Sequence, residues 1–427
     1  MKIKDLHGLF LNSRGVSTDT RSIKSGTIFF ALKGDSFNAN KFAVDALKLG
    51  ALFSVTDEIP EQENDKLILV KDVLKTLQQL ANFHRKFLDI PIIAITGSNG
   101  KTTSKELINS VLSQKFETFA TKGNLNNHIG VPLTLLEMNK NINLGIVEMG
   151  ANHIGEINDL CEIAAPNYGY ITNFGKAHLE GFGSEKGVVK GKSELYNYLI
   201  SNKGLIFINS DDPKQLKQKK GYNNIFTFSK SNNSNVRIFL DSENPFLTLN
   251  FLDQIIKTQL IGAYNFSNIA AAISIGSHFG LDFAKIKQGV ESYLPNNNRS
   301  QIIRKNNNTI VLDAYNANPS SMVAALDNFN AMKGKKKIVI LGDMFELGDQ
   351  SCKEHKAIIG LTNSLNFSST YFVGEHFNKH VFSSKSVFFF KSRDDFDKHL
   401  KSLSIKNSLI LVKGSRGMSL EGSVQHL

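Results

Sequence analysis

Cysteine is almost absent from this sequence: Cys161 and Cys352 are the only two in 427 residues. That is too few for a disulfide framework or a cysteine-rich metal cluster, and both are expected to be reduced thiols. No apolar run approaches the ~20 residues of a membrane-spanning helix, which excludes an integral membrane contact. The opening stretch MKIKDLHGLFL has neither a sustained apolar core nor a small-residue cleavage site, so no secretory leader is read there. The expected compartment is the cytoplasm. Basic and aromatic residues are not interleaved as they are on surfaces that stack bases. Lys and Arg do exceed Asp and Glu by 50 to 39, a formal charge of +11. The lysines, however, are dispersed among abundant asparagines. The densest runs, KGKKK at 333–337 and KQLKQKK ending at Lys220, are read as solvated turns. No nucleic-acid partner is expected; the positive field suits anionic substrates instead. There is no internal repeat.

What is present is a globular composition, 41% hydrophobic and 21% charged, on a chain long enough for about three domains. Residues 1–84 carry a compact α/β pattern, including an amphipathic stretch at 42–49. A new strand opens near Ile90 and begins a second domain, 85–297. The segment LPNNNRSQIIRKNNN, from Leu294, is low in apolar content and reads as a linker or hinge. Over 298–427, strands at 310–314, 337–341, 370–373 and 409–412 alternate with helical stretches, which argues a smaller doubly wound unit.

The stretch IIAITGSNGKTTSKEL, 92–107, carries the chemistry. An isoleucine-rich run suits a buried parallel strand. Gly97, Ser98, Asn99 and Gly100 form a turn signal, and the apolar residues Leu107, Ile108, Val111 and Leu112 recur at helical spacing, so a helix starts near Thr102 or Thr103. Strand, glycine loop and helix N-terminus together make an anion site. In such a site Lys101 supplies a point charge to the β- and γ-phosphates of a nucleotide, and the Thr102 hydroxyl ligates magnesium. The usual phosphate loop has a glycine where this chain has Ile95, so the spacing is unusual. Glu148, closing the apolar strand 144–147, can complete a magnesium shell, although taken alone it is more often a surface acid. His178, in YITNFGKAHLEGFGS, sits in a glycine-punctuated loop where a lone histidine is ordinarily solvated. Lys192, in GVVKGKSELY, is read at a helix start. Asn265 and Asn268 stand three apart on one helix face.

These segments, with VLDAYNANPSSM, ILGDMFELGD and LVKGSRGM, resemble the Mur ligase family, in order and over essentially the whole chain. That family uses a TGxxGKTT loop, which residues 96–103 match. Two of the segments, DAYNANPSSM and LGDMFELG, resemble the branch that adds D-alanyl-D-alanine to UDP-N-acetylmuramoyl-tripeptide. Another Mur ligase, or a folylpolyglutamate-synthase-like ligase adding one amino acid, is the alternative. A nucleic-acid NTPase would need strand-tracking features, and a nucleotide-sensing protein would not need His178 and Lys192 together.

The resemblance implies an α/β fold of three domains. These are a small uridine-nucleotide-binding domain, a central P-loop-type ATPase domain with a mostly parallel sheet, and a C-terminal Rossmann-like domain, in a monomer. It implies an ATP-dependent, ADP-forming amide ligase working through an acyl phosphate, with two magnesium sites. Lys101, Thr102 and Glu148 would hold phosphates and the first magnesium, with Thr103 completing the loop. His178 and a carbamylated Lys192 would hold the second. Asn265 and Asn268 would face adenine, and Arg299 and Asp313 the phosphates and ribose; Lys101, Lys192, His178 and Asp313 form the catalytic set. Substrate contacts fall on Thr20, Arg21, Asn38, Asn40, Asn126, Tyr315, Asn316 and Asn318. The chain departs from the family pattern at Tyr264, commonly histidine, and at Leu312-Asp313, commonly two acids. It departs again at Asn38-Ala39-Asn40, commonly Asp-Gly-His.

Overall fold

The computed structural model describes residues 1–59, 64–231, 233–243, 245–334 and 336–427. Three sheets organise them, plus a small hairpin of Lys33–Gly34 with Phe37–Asn38. The first is a four-stranded parallel sheet of Val16–Ser17, Ile28–Phe30, Phe53–Thr56 and Leu67–Leu69, in that order. The second has nine strands. Its centre is Ile92–Thr96, flanked in parallel by Tyr168–Ile171 on one side and Leu144–Glu148 on the other. All five residues of Ile92–Thr96 are buried, as an unbroken apolar run between two helical layers requires. The chain reverses its winding direction at this strand, so the loops following all three strands open a crevice at their C-terminal ends. The third sheet is six-stranded, with Leu409–Lys413 between Asn308–Asp313 and Lys337–Gly342. The C-terminal ends of two of its strands place Asp313 and Lys413 in the lining of the same crevice. No helix among the described residues is long and apolar enough to cross a membrane.

Three sequence expectations change. The boundary at residue 84 falls inside the helix Val73–Leu88, which Asp72 caps by accepting from Lys75 N (2.8 Å) and Asp89 ends at φ 50°. That helix packs on Gly130–Leu136 and Glu156–Ala164 of the central domain, so it belongs to both units. The linker read from Leu294 contains a strand, Gln301–Lys305, antiparallel to Asn308–Asp313. The asparagines that suggested a linker are its turn: Asn306 and Asn307 sit at φ 50° and 61°, a conformation asparagine tolerates. The KQLKQKK segment is mostly helix, Pro213–Gln218, because Asp212 caps it and the Gln215 side chain is buried, accepting from Asn209 N (2.9 Å). In the other basic run, Lys335 lies outside the described residues.

A buried histidine pair joins the first domain to the second. His84 Nε2 donates to the Met138 carbonyl (2.9 Å), which leaves its Nδ1 as acceptor for His7 Nε2 (3.0 Å). Phe10, Phe83 and Phe87 surround the His7 ring. Burial lowers the pKa of both histidines below the usual 6.5, and for His7 the neighbouring His84 adds to it. The neutral forms are therefore favoured on folding. Stability is fully present above the unfolded value and falls as pH drops through 6.5 toward the folded values, by at most about 1.4 kcal/mol per pH unit per histidine. Urea midpoints measured from pH 8 to pH 5 are expected to fall on this side. His84→Gln, which keeps a donor but cannot titrate, is expected to flatten the slope; an unchanged slope would remove the pair from this role.

Candidate active site

The crevice is a cleft of about 870 Å³ lined by all three loops of the central sheet and by the C-terminal domain. Its floor is the loop 97–100. Gly97 has φ 142° and lies so close to the next loop that a Cβ would stand 2.0 Å from Thr172 Oγ1; at Gly100 (φ 77°) one would stand 2.5 Å from Asn268 Oδ1. Both glycines are therefore required by tertiary contact as well as by conformation. The loop is held from behind: Thr172 Oγ1 donates to Asn99 O (2.6 Å), Asn99 N to Asn173 Oδ1 (3.0 Å), and Ser98 Oγ to Gly175 O (3.0 Å). The helix Lys101–Leu112 begins one residue before the expected start, with Thr102 and Thr103 buried in its first turn. Lys101 Nζ folds back to Gly97 O (2.8 Å). Burial lowers its pKa, opposed by Glu148 and reinforced by Arg299.

Glu148 ends its strand fully inside the cleft wall. Asn126 Nδ2 donates to Oε1 (2.8 Å), while Oε2 is buried without a partner. A buried carboxylate oxygen left open in this way has the capacity to accept a donor or a cation. His178 is at φ 51° and does not stand free: its Nδ1 lies 2.5 Å from Glu346 Oε2 of the C-terminal domain. Lys192 closes the helix Glu185–Lys192, where a helix start was expected. It is fully buried, donates to Ala151 O (3.0 Å), and rests over the Phe182 ring at 5.1 Å. Its pKa is driven well below the ordinary lysine value by burial, and next by the Lys101 charge. It is absent from the cleft lining; it sits behind Ala151, which is part of it.

Asn265 and Asn268 line the cleft, but their amides face each other: Asn268 Nδ2 donates to Asn265 Oδ1 (2.9 Å), and Asn268 Oδ1 accepts from Ser104 (2.9 Å). They tie the helix of the phosphate loop to the turn before Phe266–His278. Tyr264 hydrogen-bonds Ser300 (2.7 Å). Arg299 stacks its guanidinium 3.7 Å from the centre of the Tyr315 ring. Asp313 accepts from Lys413 Nζ (2.6 Å), which also reaches Asn316 O (3.2 Å). Asn318 caps the helix Pro319–Ala331 and donates across the cleft to Asn99 Oδ1 (2.7 Å). The central and C-terminal domains are also joined by Lys176 N to Ser320 Oγ (2.9 Å) and Lys176 Nζ to Glu354 Oε1 (3.0 Å).

The first-domain residues stand apart: Thr20, Arg21, Asn38 and Asn40 do not line this cleft. Arg21 is exposed and paired with Asp19 (2.6 Å). Asn40 is an internal brace, with Nδ2 on Asp57 (2.8 Å) and Oδ1 accepting from Thr56 (2.6 Å), while Asn38 reaches Glu58 (2.9 Å). Sequence reading passed over Lys413, Glu346 and Lys176. All three lie in segments singled out for other residues, and nothing local distinguishes them from solvated charges.

Residues 95–276 match the Mur ligase middle domain, and 298–416 match the domain described as "Mur ligase, glutamate ligase domain". A UDP-N-acetylmuramoyl-tripeptide–D-alanyl-D-alanine ligase of Bacillus subtilis is 34% identical over 97% of this chain and 93% of its own. Its Escherichia coli counterpart is 33% identical, covering 99% and 95%. Among solved structures, MurF from Acinetobacter baumannii superposes with a TM-score of 0.87 at 29% identity, covering 98% of this chain and 97% of that one. MurF from Thermotoga maritima in complex with ADP gives 0.85 at 26%, with the same coverage. Sequence and architecture thus agree over nearly the full length, and the chain belongs to the Mur ligase family.

Proposed function

We propose that this chain is the ATP-dependent ligase that joins D-alanyl-D-alanine to the terminal carboxylate of UDP-N-acetylmuramoyl-tripeptide, forming ADP and phosphate. The reading is supported by full-length relatives bearing that name and by likeness to a MurF structure holding ADP. The observation that carries the chemistry is the meeting, in one cleft, of the glycine loop with Lys101 and the open carboxylate oxygen of Glu148. The reaction must bring two anions together, the tripeptide carboxylate and the γ-phosphate, so neutralising charge and fixing position dominate the barrier. Free N–H groups at the start of Lys101–Leu112 and the Lys101 ammonium cradle the phosphates. Arg299, held flat by Tyr315, and Lys413, held by Asp313, bring further positive charge to the opposite wall. The carboxylate attacks the γ-phosphorus, ADP leaves, and the dipeptide amine then displaces phosphate from the acyl phosphate.

Thr102 and Glu148 are hard oxygen donors suited to magnesium, and the unpartnered Glu148 Oε2 fits that assignment. Bound there, magnesium would neutralise phosphate charge. No group of three His, Cys, Asp or Glu among the described residues is arranged to hold a metal alone, so phosphate oxygens and water must complete the shell. A second site at His178 and carbamylated Lys192 belongs to the same proposal, as do adenine contacts near Asn265 and Asn268, catalysis involving Asp313, substrate contacts at Asn126, Tyr315, Asn316 and Asn318, and uridine contacts at Thr20 and Arg21. The UDP-linked substrate implies a cytoplasmic site of action, and the enzyme is proposed to act as a monomer. Phosphate release from ATP is expected to require both UDP-N-acetylmuramoyl-tripeptide and D-alanyl-D-alanine. Turnover independent of the dipeptide would reject this function.

A further inference from the structure

The cleft is built for anions, yet its second nucleophilic substrate is a cation. Lys101, Arg299, Lys413 and Arg416 all line it, and an incoming ammonium is repelled by each. Four carboxylates line it as well: Glu148, Glu156, Asp313 and Glu346. Three are engaged elsewhere. Glu148 belongs to the phosphate side, Glu156 accepts from Asn152 N (2.8 Å) and meets His153 (3.0 Å), and Asp313 holds Lys413. Glu346 is different. It projects from the C-terminal domain toward the phosphate loop, and among the described residues its carboxylate meets only the imidazole of His178.

The chain holds Glu346 there at a cost. Its φ is 61°, in the left-handed region that a glutamate rarely occupies, with no glycine at the position. The flanking backbone is pinned on several sides: Met344 N donates to His355 Nε2 (3.0 Å), Phe345 N to Ser415 Oγ (2.9 Å), and Glu180 N to Glu346 O (3.3 Å). Asp343, which begins the segment, accepts from His376 N (2.8 Å) and Phe377 N (2.9 Å). A strained residue fixed this firmly serves its side chain's position.

We propose that Glu346 receives the ammonium group of the incoming dipeptide, exchanging His178 for it, and so sets where the amine waits before attack. The inference rests on the ligase reading above. Glu346 binds and positions; when the N–C bond forms and the C–O bond to phosphate breaks, one ammonium proton goes to the leaving phosphate and one to solvent, and the amide keeps the third.

Glu346→Gln tests this with the full-length enzyme. Its KM for D-alanyl-D-alanine is expected to rise about tenfold or more, the value of a charged hydrogen bond, while the KM values for ATP and UDP-N-acetylmuramoyl-tripeptide hold. The defect is expected to shrink as pH rises past about 8, where an α-amine loses its charge. Hydroxylamine, an uncharged nucleophile, is expected to trap the acyl phosphate in the variant as in the unaltered enzyme. Glu346→Asp is expected to recover part of the dipeptide affinity. An unchanged dipeptide KM overturns the proposal. So does a parallel loss of hydroxamate formation and ligation, which would make Glu346 only a clasp for His178. Failure of the ligase reading would look different, since the unaltered enzyme would then show no dipeptide-dependent turnover.

Discussion

Lys101→Ala is expected to lower ATP-dependent ligation by about 10²–10³-fold or more, on the scale of losing one preorganised charge at a transition state. The structure explains why the loss falls on rate and not on folding. Among the described residues the Lys101 side chain makes one hydrogen bond, to the Gly97 carbonyl of its own loop, worth about 1 kcal/mol. The loop keeps its shape through Asn99, Thr172, Asn173 and Ser98, none of which the substitution touches. Burial lowers the Lys101 pKa in the protein alone. Phosphates arriving beside it stabilise the ammonium, so nucleotide binding and lysine charging reinforce each other. Phosphate release and thermal unfolding measured on one preparation separate the two effects. A folded variant that turns over normally would reject the loop as the phosphate site.

Substituting Lys192 is expected to be as severe, for a different reason. A lysine can take up CO2 only as a neutral amine, and burial, then the positive charge of Lys101, shift this one toward that form. A carbamate nitrogen keeps one hydrogen, so a carbamate here would retain a donor for Ala151 O, and its carboxylate would supply the cation ligand proposed above. Lys192→Ala is therefore expected to lose at least about 10²-fold in ligation, with partial rescue by a short carboxylic acid. Lys192→Met, which fills the space without a charge, separates lost chemistry from lost packing. Lys192→Arg is expected to be inactive, because guanidinium stays charged and cannot bind CO2. The exposed Lys190, as Lys190→Ala, is expected to be mild. Carbon-13-labelled CO2 offers a reading independent of activity: a carbamate resonance present in the native enzyme and absent from Lys192→Met. Full activity in Lys192→Arg would return this residue to a packing role.

The elements most legible in the sequence are those whose signal is local. Ile92–Thr96, its glycine turn and the following helix announce themselves through burial pattern, turn chemistry and helical spacing, all within about twenty residues. Four of the six strands of the third sheet are legible for the same reason; the edge strand Val387–Phe390 was not read. Gln301–Lys305 was not, because a strand that pairs at a sheet edge beside an asparagine turn has the composition of a linker. The helix Val73–Leu88 hid a domain junction, since a continuous helix carries no mark of which unit it packs against.

For this chain, sequence alone determined the fold class and the nucleotide loop with Lys101, while Glu148, His178 and Lys192 were singled out by resemblance to the family. Glycine conformation, strand burial and a helix N-terminus depend on neighbours a few residues apart. Tertiary structure alone decided the rest: that Lys192 is fully buried, that Glu148 keeps one oxygen open, and that Glu346 meets His178 from 168 positions away along the chain. Burial, unfilled hydrogen-bonding capacity and cross-domain charge pairing are properties of packed surroundings, which a local stretch of residues does not contain.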